Sequence, residues 1–419
     1  MEQVDVAVTG AGPAGLFCAI HAAGQGRRIL VLEKMERPAR KLLLSGSGQC
    51  NITHEGGIKK FLSHYGNAGT FLKPALLSFT NHDLVQFFHE RGLDMEIRED
   101  GKVFPATRKS SDVLSILISE CEKQGVALSY GEPVTGLTKE QEGFRITTSR
   151  NRYHASCLVI AMGGVSYPAT GSTGDGYQFA ASMGHTVTEI APALAPLLIQ
   201  EFPFSNLSGM SFPHMHFSVW RKGEKLFHYT GDVLFTHTGL SGPGILDCSR
   251  NIRSGDVVLL SFTDRECHEG FRRLFLEQSA APGTRRVISV VSGYHIQERL
   301  IKKILELASI PQDTTCAHLS RQHRSVLVNS LTGYPLTVDA VGDFSVAMVT
   351  RGGIARNEVN PKTMESRIVK NLYFAGEVLD IDGDTGGYNL QSAFSTGMLA
   401  AQSIRKNFLK IKFHEYPFI

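Results

Sequence analysis

The residues best spaced for chemistry are glycines 10, 12 and 15 and the carboxylate Glu33. In Gly10-Ala11-Gly12-Pro13-Ala14-Gly15, the first glycine permits a tight turn and the second lets backbone N–H groups approach a pyrophosphate. The third lets a helix pack close to a strand, and the helix N-terminus adds partial positive charge. Glu33, 18 residues beyond Gly15, is spaced to accept hydrogen bonds from a ribose and to disfavour a 2′-phosphate. The chemistry is dinucleotide binding, with NAD, NADP and FAD all open.

A second constellation lies near the other end of the chain. The strand-like run Leu372-Tyr373-Phe374-Ala375 stops at Gly376-Glu377, and Gly386-Gly387-Tyr388-Asn389 opens a helix built on Leu390, Ala393, Phe394 and Met398. A second helix dipole aimed into the site would stabilise negative charge on a cofactor ring, such as that at the N1/O2 edge of a reduced flavin. Asp380, Asp382 and Asp384 alternate like a calcium loop. The sixth and twelfth positions, however, are Thr385 and Gln391 rather than Gly and Glu, so calcium is rejected and no metal is expected. His214 and His216 share a strand face without a third ligand. Cys50 is the candidate catalytic acid or ring neighbour, against the alternative of a small buried hydrophobe. His237 is the candidate proton donor to substrate, against a structural hydrogen bond.

Elements must carry these groups. Val4, Val6, Ala7 and Val8 predict a strand, Leu16 to Ala23 a helix, and Arg28 to Leu32 a second strand. Residues 40–50 read as a Ser/Gly turn. Helical spacing covers 71–92, and Ser111-Asp112 is placed to cap a further helix. Strands are expected at 126–130, 136–137, 144–148 and 158–161. Alternation over His214 to Trp220 predicts a hairpin turning at Lys222 to Lys225. Helical patterns return at 297–307 and 319–331. Gly171 to Gly176 is glycine-rich but lacks the GxGxxG spacing and a βαβ frame.

The fold class is therefore α/β: a Rossmann-like domain split in sequence, with a β-barrel-like plus helical insertion. Expected boundaries are 1–192, an insertion over 193–344 (β-rich 193–262, helical 263–344), a return over 345–405 and a tail over 406–419. With 42% hydrophobic and 20% charged residues, the composition is that of a soluble globular protein, and the net charge of +3 does not call for an acidic partner. Seven scattered cysteines without a CxxC pair argue for reduced thiols and against a zinc or dithiol centre. A strand starting close to Met1 leaves no room for a signal peptide, and no run approaches the ~20 apolar residues of a membrane span, so a cytoplasmic location without membrane contact is expected.

Four stretches carry a family resemblance: GAGPAG at 10–15, RKLLLSGSGQCN at 40–51, LFTHTGLSGPGIL at 234–246, and the run from Val349 to Gly397. Together they resemble the BaiN/YhiN-like family of FAD-dependent oxidoreductases, within the glutathione-reductase-type flavoproteins. The resemblance implies FAD. Gly10, Gly12, Pro13, Ala14 and Gly15 would hold the pyrophosphate, Glu33 with Lys34 the adenosine ribose side, and Val134 the adenine. Lys41, Ser45, Gly46 and Asn51 would line the flavin side, and Ala161 and Gly163 would approach closely. Gly376, Glu377, Gly386, Gly387, Tyr388, Asn389 and Leu390 would meet the ribityl chain and ring. One departure stands out: the family commonly has Arg where this chain has Gln49, which puts charge contacts of that loop in doubt. With one dinucleotide fingerprint, NADH or NADPH is expected to dock transiently. The reaction implied is hydride transfer to a C=C bond of a small enone or of uridine in ribosomal RNA. The alternative is a flavin-containing RNA- or ribosome-binding protein, monomeric or weakly self-associating, using insertion cations such as Arg221, Lys222, Lys302 and Arg321, with Phe202, Phe204, Phe212 and Phe217 as base-stacking candidates.

Overall fold

The computed structural model describes residues 1–263, 268–279 and 285–415. The chain divides into two units, one of Met1–Ala193 with the segment from Phe344 onward, the other of Leu194–Asp343. Each has its own apolar core.

In the first unit, β1 (Glu2–Thr9) leads through α1 (Pro13–Ala22) to β2 (Ile29–Leu32). The two strands pair in parallel, Val6 opposite Ile29. The expected turn at 40–50 is instead a short helix α2 (Arg40–Leu44) running into a 3₁₀ turn over Ser45–Gly48. Leu42 buries the inner side of that helix, whereas Leu44 is exposed. Next come β3 (Thr53–His54), α3 (Ile58–Phe61), α4 (Gly69–Ser78) and α5 (Asn81–His89). The helical pattern over 71–92 breaks at Phe79-Thr80, because the Thr80 side chain accepts from the Asp83 N–H and starts a new helix. Strands β4 (Met95–Ile97) and β5 (Lys102–Pro105) form a hairpin whose β5 pairs with β3, giving the order β3-β5-β4.

Helix α6 (Ser110–Lys123) begins one residue before the expected cap. Ser110 Oγ donates to the Leu43 carbonyl at 3.0 Å, so this serine ties α6 to α2 instead of capping it. Strands β6 (Ala127–Ser129), β7 (Val134–Glu140), β8 (Gly143–Thr148) and β9 (Arg152–Ile160) complete the first pass. The main sheet is ordered β6-β2-β1-β9-β8-β7. After α7 (Asp175–Ser182) and β10 (Ala191–Ala193) the chain enters the second unit.

There β11 (Leu197–Ile199), β12 (Ser211–Arg221), β13 (Glu224–Phe235), β14 (Gly239–Ser241), β15 (Val257–Ser261) and β16 (Tyr334–Val341) form a closed barrel in the order β11-β14-β13-β12-β15-β16. Lys222 and Gly223 turn the long hairpin with φ of 50° and 84°, the pair of left-handed residues a type I′ turn requires. Helix α8 (Pro243–Cys248) sits within the barrel segment, and α9 (His268–Ser279), α10 (Val287–Ser292), α11 (Glu298–Leu307) and α12 (Arg321–Thr332) precede its last strand. The stretch expected to be helical thus ends in β16, because closure needs a partner for both β15 and β11.

Back in the first unit, β17 (Val349–Arg351) pairs with β10, and β18 (Leu372–Phe374) joins β9 in parallel. β18 takes up the upper half of β9 (Leu158–Ile160), above the Arg152–Ala155 half paired with β8. The last helix, α13 (Tyr388–Glu415), replaces the expected tail from 406; residues 416–419 lie outside the described ones. Among the described residues, no helix is long and apolar enough to cross a membrane.

Candidate functional site

The turn after β1 is built from close approaches. Gly10 has φ of 100°, and a Cβ there would come within 2.5 Å of the Ala161 carbonyl oxygen at the end of β9. A Cβ on Gly15 would overlap the Gly10 carbonyl. Gly12 differs, because nothing lies within 4 Å of where its Cβ would be. It precedes α1, whose N-terminus has no side-chain cap and no acidic residue in its first turn. Pro13 occupies a first-turn position where a missing N–H costs nothing. Gly10 N–H is taken by Leu32 O, and the first turn of α1 presents its N–H groups and the helix dipole to an open cradle, the arrangement a pyrophosphate fits.

Glu33 is drawn against this loop. Its Oε2 accepts from Ala11 N–H and its Oε1 from Met35 N–H, both at 2.9 Å, which leaves further lone pairs for hydroxyl donors. Lys34 turns away to Thr173 and to Asp175 at 2.8 Å, at the start of α7. The Gly171 to Gly176 segment thus braces the end of β2, and a Cβ on Gly171 would press on Met35. Burial pushes the Asp175 carboxyl up, but the hydrogen bonds from Lys34 and Thr173 outweigh it and hold it low. Val134 begins β7 opposite Thr148. Beside it Glu132 is buried and accepts hydrogen bonds from Ser129, Thr148 at 2.5 Å and Tyr153 at 3.1 Å.

The C-terminal half packs onto the same helix. A Cβ on Gly376 (φ 76°) would meet Ala14 Cβ at 2.8 Å, and one on Gly397 would meet the Ala14 carbonyl at 2.5 Å. Glycines of the returning segment thus bring α13 and the Gly376–Val378 turn against the start of α1. Lys41 Nζ reaches the Glu377 carboxylate at 2.7 and 2.9 Å, and Glu377 Oε1 also accepts from Thr350 N–H at 2.8 Å. Burial, reinforced by the charges of Glu377 and Asp380, raises the Tyr177 hydroxyl's pKa far above its ordinary value.

The loop over residues 45–51 closes on the second glycine pair. Gly46, Ser47, Gly48 and Cys50 are all left-handed, with φ of 55°, 56°, 85° and 62°. Ser45 holds the bend, its Oγ donating to Leu42 O at 2.7 Å and its carbonyl accepting from Cys50 N–H at 2.9 Å. Cys50 is fully buried, and burial pushes its thiol up to about 12. That is a thiol held neutral, unlike a reactive cysteine. With its amide oriented to satisfy both ends, Asn51 donates to Thr53 O at 2.9 Å and accepts from Gly387 N–H at 3.0 Å. Gly387 (φ 94°) is pressed against the Thr53 carbonyl, which a Cβ would overlap, and Gly386 has φ of 114°.

Tyr388, buried at the start of α13, stacks between His64 (centroids 4.0 Å apart) and His54 (5.3 Å), both at 12°. Asn389 pins the acidic loop through Gly383, accepting from its N–H at 2.8 Å and donating to its carbonyl at 2.9 Å. Asp384 accepts a hydrogen bond at 3.0 Å from His64 Nδ1, and Asp380 pairs with Arg356 at 3.3 Å. Asp380 and Asp384 thus organise their loop, and Leu390 packs against the core. Among the described residues, no cluster suited to a metal occurs. The structure brings together Gly10 to Gly15, Lys41 to Asn51 and Gly376 to Leu390, with Ala161 beside the first loop. Gly163 (φ 72°) follows it, with Ser172 Oγ 3.8 Å from its Cβ position. Thr53, His54, His64 and Thr350 were missed; their only sequence signal is proximity to the RKLLLSGSGQCN and VTRGG stretches.

The second unit holds the other candidates. His237 is exposed in the turn between β13 and β14. The shared face of His214 and His216 is broken by a bulge: His214 has φ of 49°, and His216 instead stacks on His228, centroids 5.7 Å apart. Phe202, Phe204 and Phe217 are core residues and Phe212 packs against them, so they offer no base-stacking surface. Several insertion cations are paired, among them Arg221 with Asp256 at 2.8 Å and Lys302 with Glu298 at 2.6 Å.

A Rossmann sheet completed by a distant strand and a glycine-opened helix, with a barrel inserted between the two passes, is the fold of the flavoprotein oxidoreductases. The 3-ketosteroid delta1-dehydrogenase of Sterolibacterium denitrificans shares it, with a TM-score of 0.53 over 97% of this chain and all of that one, at 14% identity. Within that class the chain belongs to the HI0933-like family, whose Rossmann domain profile matches residues 4–403. It is 31% identical over 415 residues to the ribosomal RNA dihydrouridine synthase of Escherichia coli, covering 96% of this chain and 98% of that protein. To the 3-dehydro-bile acid delta(4,6)-reductase of Clostridium scindens it is 30% identical over 413 residues, covering 95% and 98%.

Proposed function

We propose that this protein binds FAD across the first unit and reduces a polarised C=C bond with electrons from NADH or NADPH. The observation that carries this reading is the uncapped start of α1, open in front of Gly12, with the Gly376–Val378 turn and the body of α13 packed against it through Ala14, Gly376 and Gly397. Bound there, the flavin would supply hydride transfer between a nicotinamide and the C=C bond.

The chain's residues divide the remaining work. The N–H groups around Gly12 and the α1 dipole hold the pyrophosphate, and Glu33 accepts from the adenosine ribose. The start of α13 would offer positive potential to the negative charge of a reduced flavin ring. The Lys41–Glu377 pair fixes the turn that meets the ribityl chain. Cys50, buried and neutral, shapes its loop. His237 is the candidate proton donor, since hydride addition to a C=C bond leaves a carbanion equivalent that must be protonated.

The relatives support two acceptors, an enone of steroid type and uridine in ribosomal RNA. The test is direct. The purified protein should be yellow, and its NAD(P)H oxidation should rise with one acceptor class, read by absorbance or by mapping dihydrouridine in ribosomal RNA from a deletion strain. Colourless protein that takes up no added FAD would sink the proposal.

A further inference from the structure

We propose that Arg98 is an anion-binding residue on the flavin-side loop, and that it receives the pyrophosphate of the nicotinamide dinucleotide that reduces the enzyme. This rests on the function proposed above.

The segment Ser45 to Asn51 contains no charged side chain. Its backbone is nonetheless tightly specified, with Ser47 and Cys50 both left-handed, a conformation that costs about 1 kcal/mol for a non-glycine residue and clusters at functional sites. That conformation turns the Gln49 side chain toward the β4–β5 hairpin. There Arg98 Nη2 donates to Gln49 Oε1 at 2.6 Å, and the guanidinium carbon lies 3.8 Å from the centroid of the Phe104 ring. The same ring sits 3.1 Å from the Cβ position of Gly46. Arg98 is thus held against the loop by a hydrogen bond and by stacking, through a ring that also touches the loop backbone. A loop without a charge of its own thus carries a cation delivered by a neighbouring hairpin.

The charge is held without an ion pair, although Glu96, bonded to Arg108, also feels it. Among the described residues, Arg98 makes no ion pair, and its Nε and Nη1 have no hydrogen-bond partner. Glu96, the carboxylate on the same hairpin, is engaged by Arg108 at 2.9 and 3.2 Å, and Asp100 by Lys102 at 2.6 Å; Glu99 is exposed. The second Nη2 hydrogen, with the neighbouring open nitrogen, still offers a bidentate edge to a phosphate oxygen pair. One dinucleotide fold serves FAD, so a transiently docking dinucleotide must find its phosphate contacts elsewhere, and the open guanidinium held on the proposed flavin-side loop supplies one. The inference therefore favours the donor's phosphates over a phosphate on the acceptor.

The test compares wild-type holoenzyme, Arg98→Met and the double variant Arg98→Met/Gln49→Arg by anaerobic rapid mixing with NADH and NADPH. Arg98→Met should raise the apparent Kd for both donors by ~30-fold with little change in the limiting rate of flavin reduction, as expected for a lost charged hydrogen bond. The double variant, with its guanidinium restored to the loop, should recover most of that loss. Calorimetric titration with inorganic pyrophosphate should show binding to wild type that Arg98→Met abolishes. Unchanged donor Kd in Arg98→Met overturns the proposal, as does a fall in limiting rate alone or an effect confined to reoxidation by acceptor. If neither nicotinamide reduces wild-type flavin, the proposed function itself has failed; if both do and Arg98→Met behaves as wild type, only the role of Arg98 has.

Discussion

Gly10 to Gly15 and Gly386 to Leu390 both open a helix of the first unit, yet they are held by different means. The first loop is held by backbone against backbone: Gly15 fits over the Gly10 carbonyl and Gly10 over Ala161. Its partners are the next turn and the adjacent strand. The second loop is held by partners more than 300 residues away in sequence, among them Asn51, the Thr53 carbonyl and the stacked His54 and His64 rings. The first loop's glycine spacing stands in a few adjacent letters, although Ala161, Gly376 and Gly397, which complete its packing, lie far along the chain. The second acquires its shape only when the rest of the unit has packed around it.

Substitutions can break that comparison. The largest effect is expected at Gly15→Ala, whose Cβ has nowhere to go; a loss of about 3 kcal/mol or absence of folded protein should appear in chemical denaturation. Gly12→Glu is its counterpart: with open space ahead it should fold with a near wild-type midpoint but carry no flavin, read as lost visible absorbance. If both variants merely weaken flavin binding alike, the backbone account of the first loop is wrong. Gly387→Ala should cost about 2 kcal/mol, from the positive φ and the Thr53 carbonyl together. Asn389→Ala, which strips two hydrogen bonds from Gly383, should cost about 1–2 kcal/mol and lower flavin affinity without abolishing it.

The smallest effect is expected at Glu132, before the start of β7. Burial pushes the Glu132 carboxyl up, but hydrogen bonds from Ser129, Thr148, Tyr153 and Asn151 outweigh it and hold it below its ordinary value. A carboxyl depressed in the folded state contributes stability above its unfolded pKa, and that contribution fades as acid protonates it. Glu132→Gln should therefore lose about 1 kcal/mol at pH 7 and show a flatter decline in denaturation midpoint between about pH 5 and 3. Parallel curves for the two proteins would remove Glu132 from the account.

Legibility followed the range of the interactions. The βαβ unit was readable because its constraints are local, and the alternation around Trp220 with Lys222-Gly223 gave the long hairpin. The helix at Arg40–Leu44 was hidden behind the glycines and serines that follow it. Barrel closure by Tyr334–Val341 was hidden behind four helices, since no local pattern states which strand will meet Leu197–Ile199. Within the site, the glycines and Asn51 stood out by type and spacing. Their pairing did not, nor did the delivery of Arg98 to Gln49 from another element. The shared face assigned to His214 and His216 failed because a bulge shifts the register, which strict alternation cannot foresee.

The late arrival of Leu372–Phe374 beside Leu158–Ile160 has a consequence for synthesis. Roughly 200 residues separate the two strands, so at about 5–20 residues per second a nascent chain spends roughly 10–40 s with that strand edge unpaired. The inserted barrel, with a core of its own, can close during this interval. The dinucleotide loop meanwhile waits on the ribosome as half a site, with the α1 face that Gly376 and Gly397 will cover still open to chaperones or to a neighbouring chain.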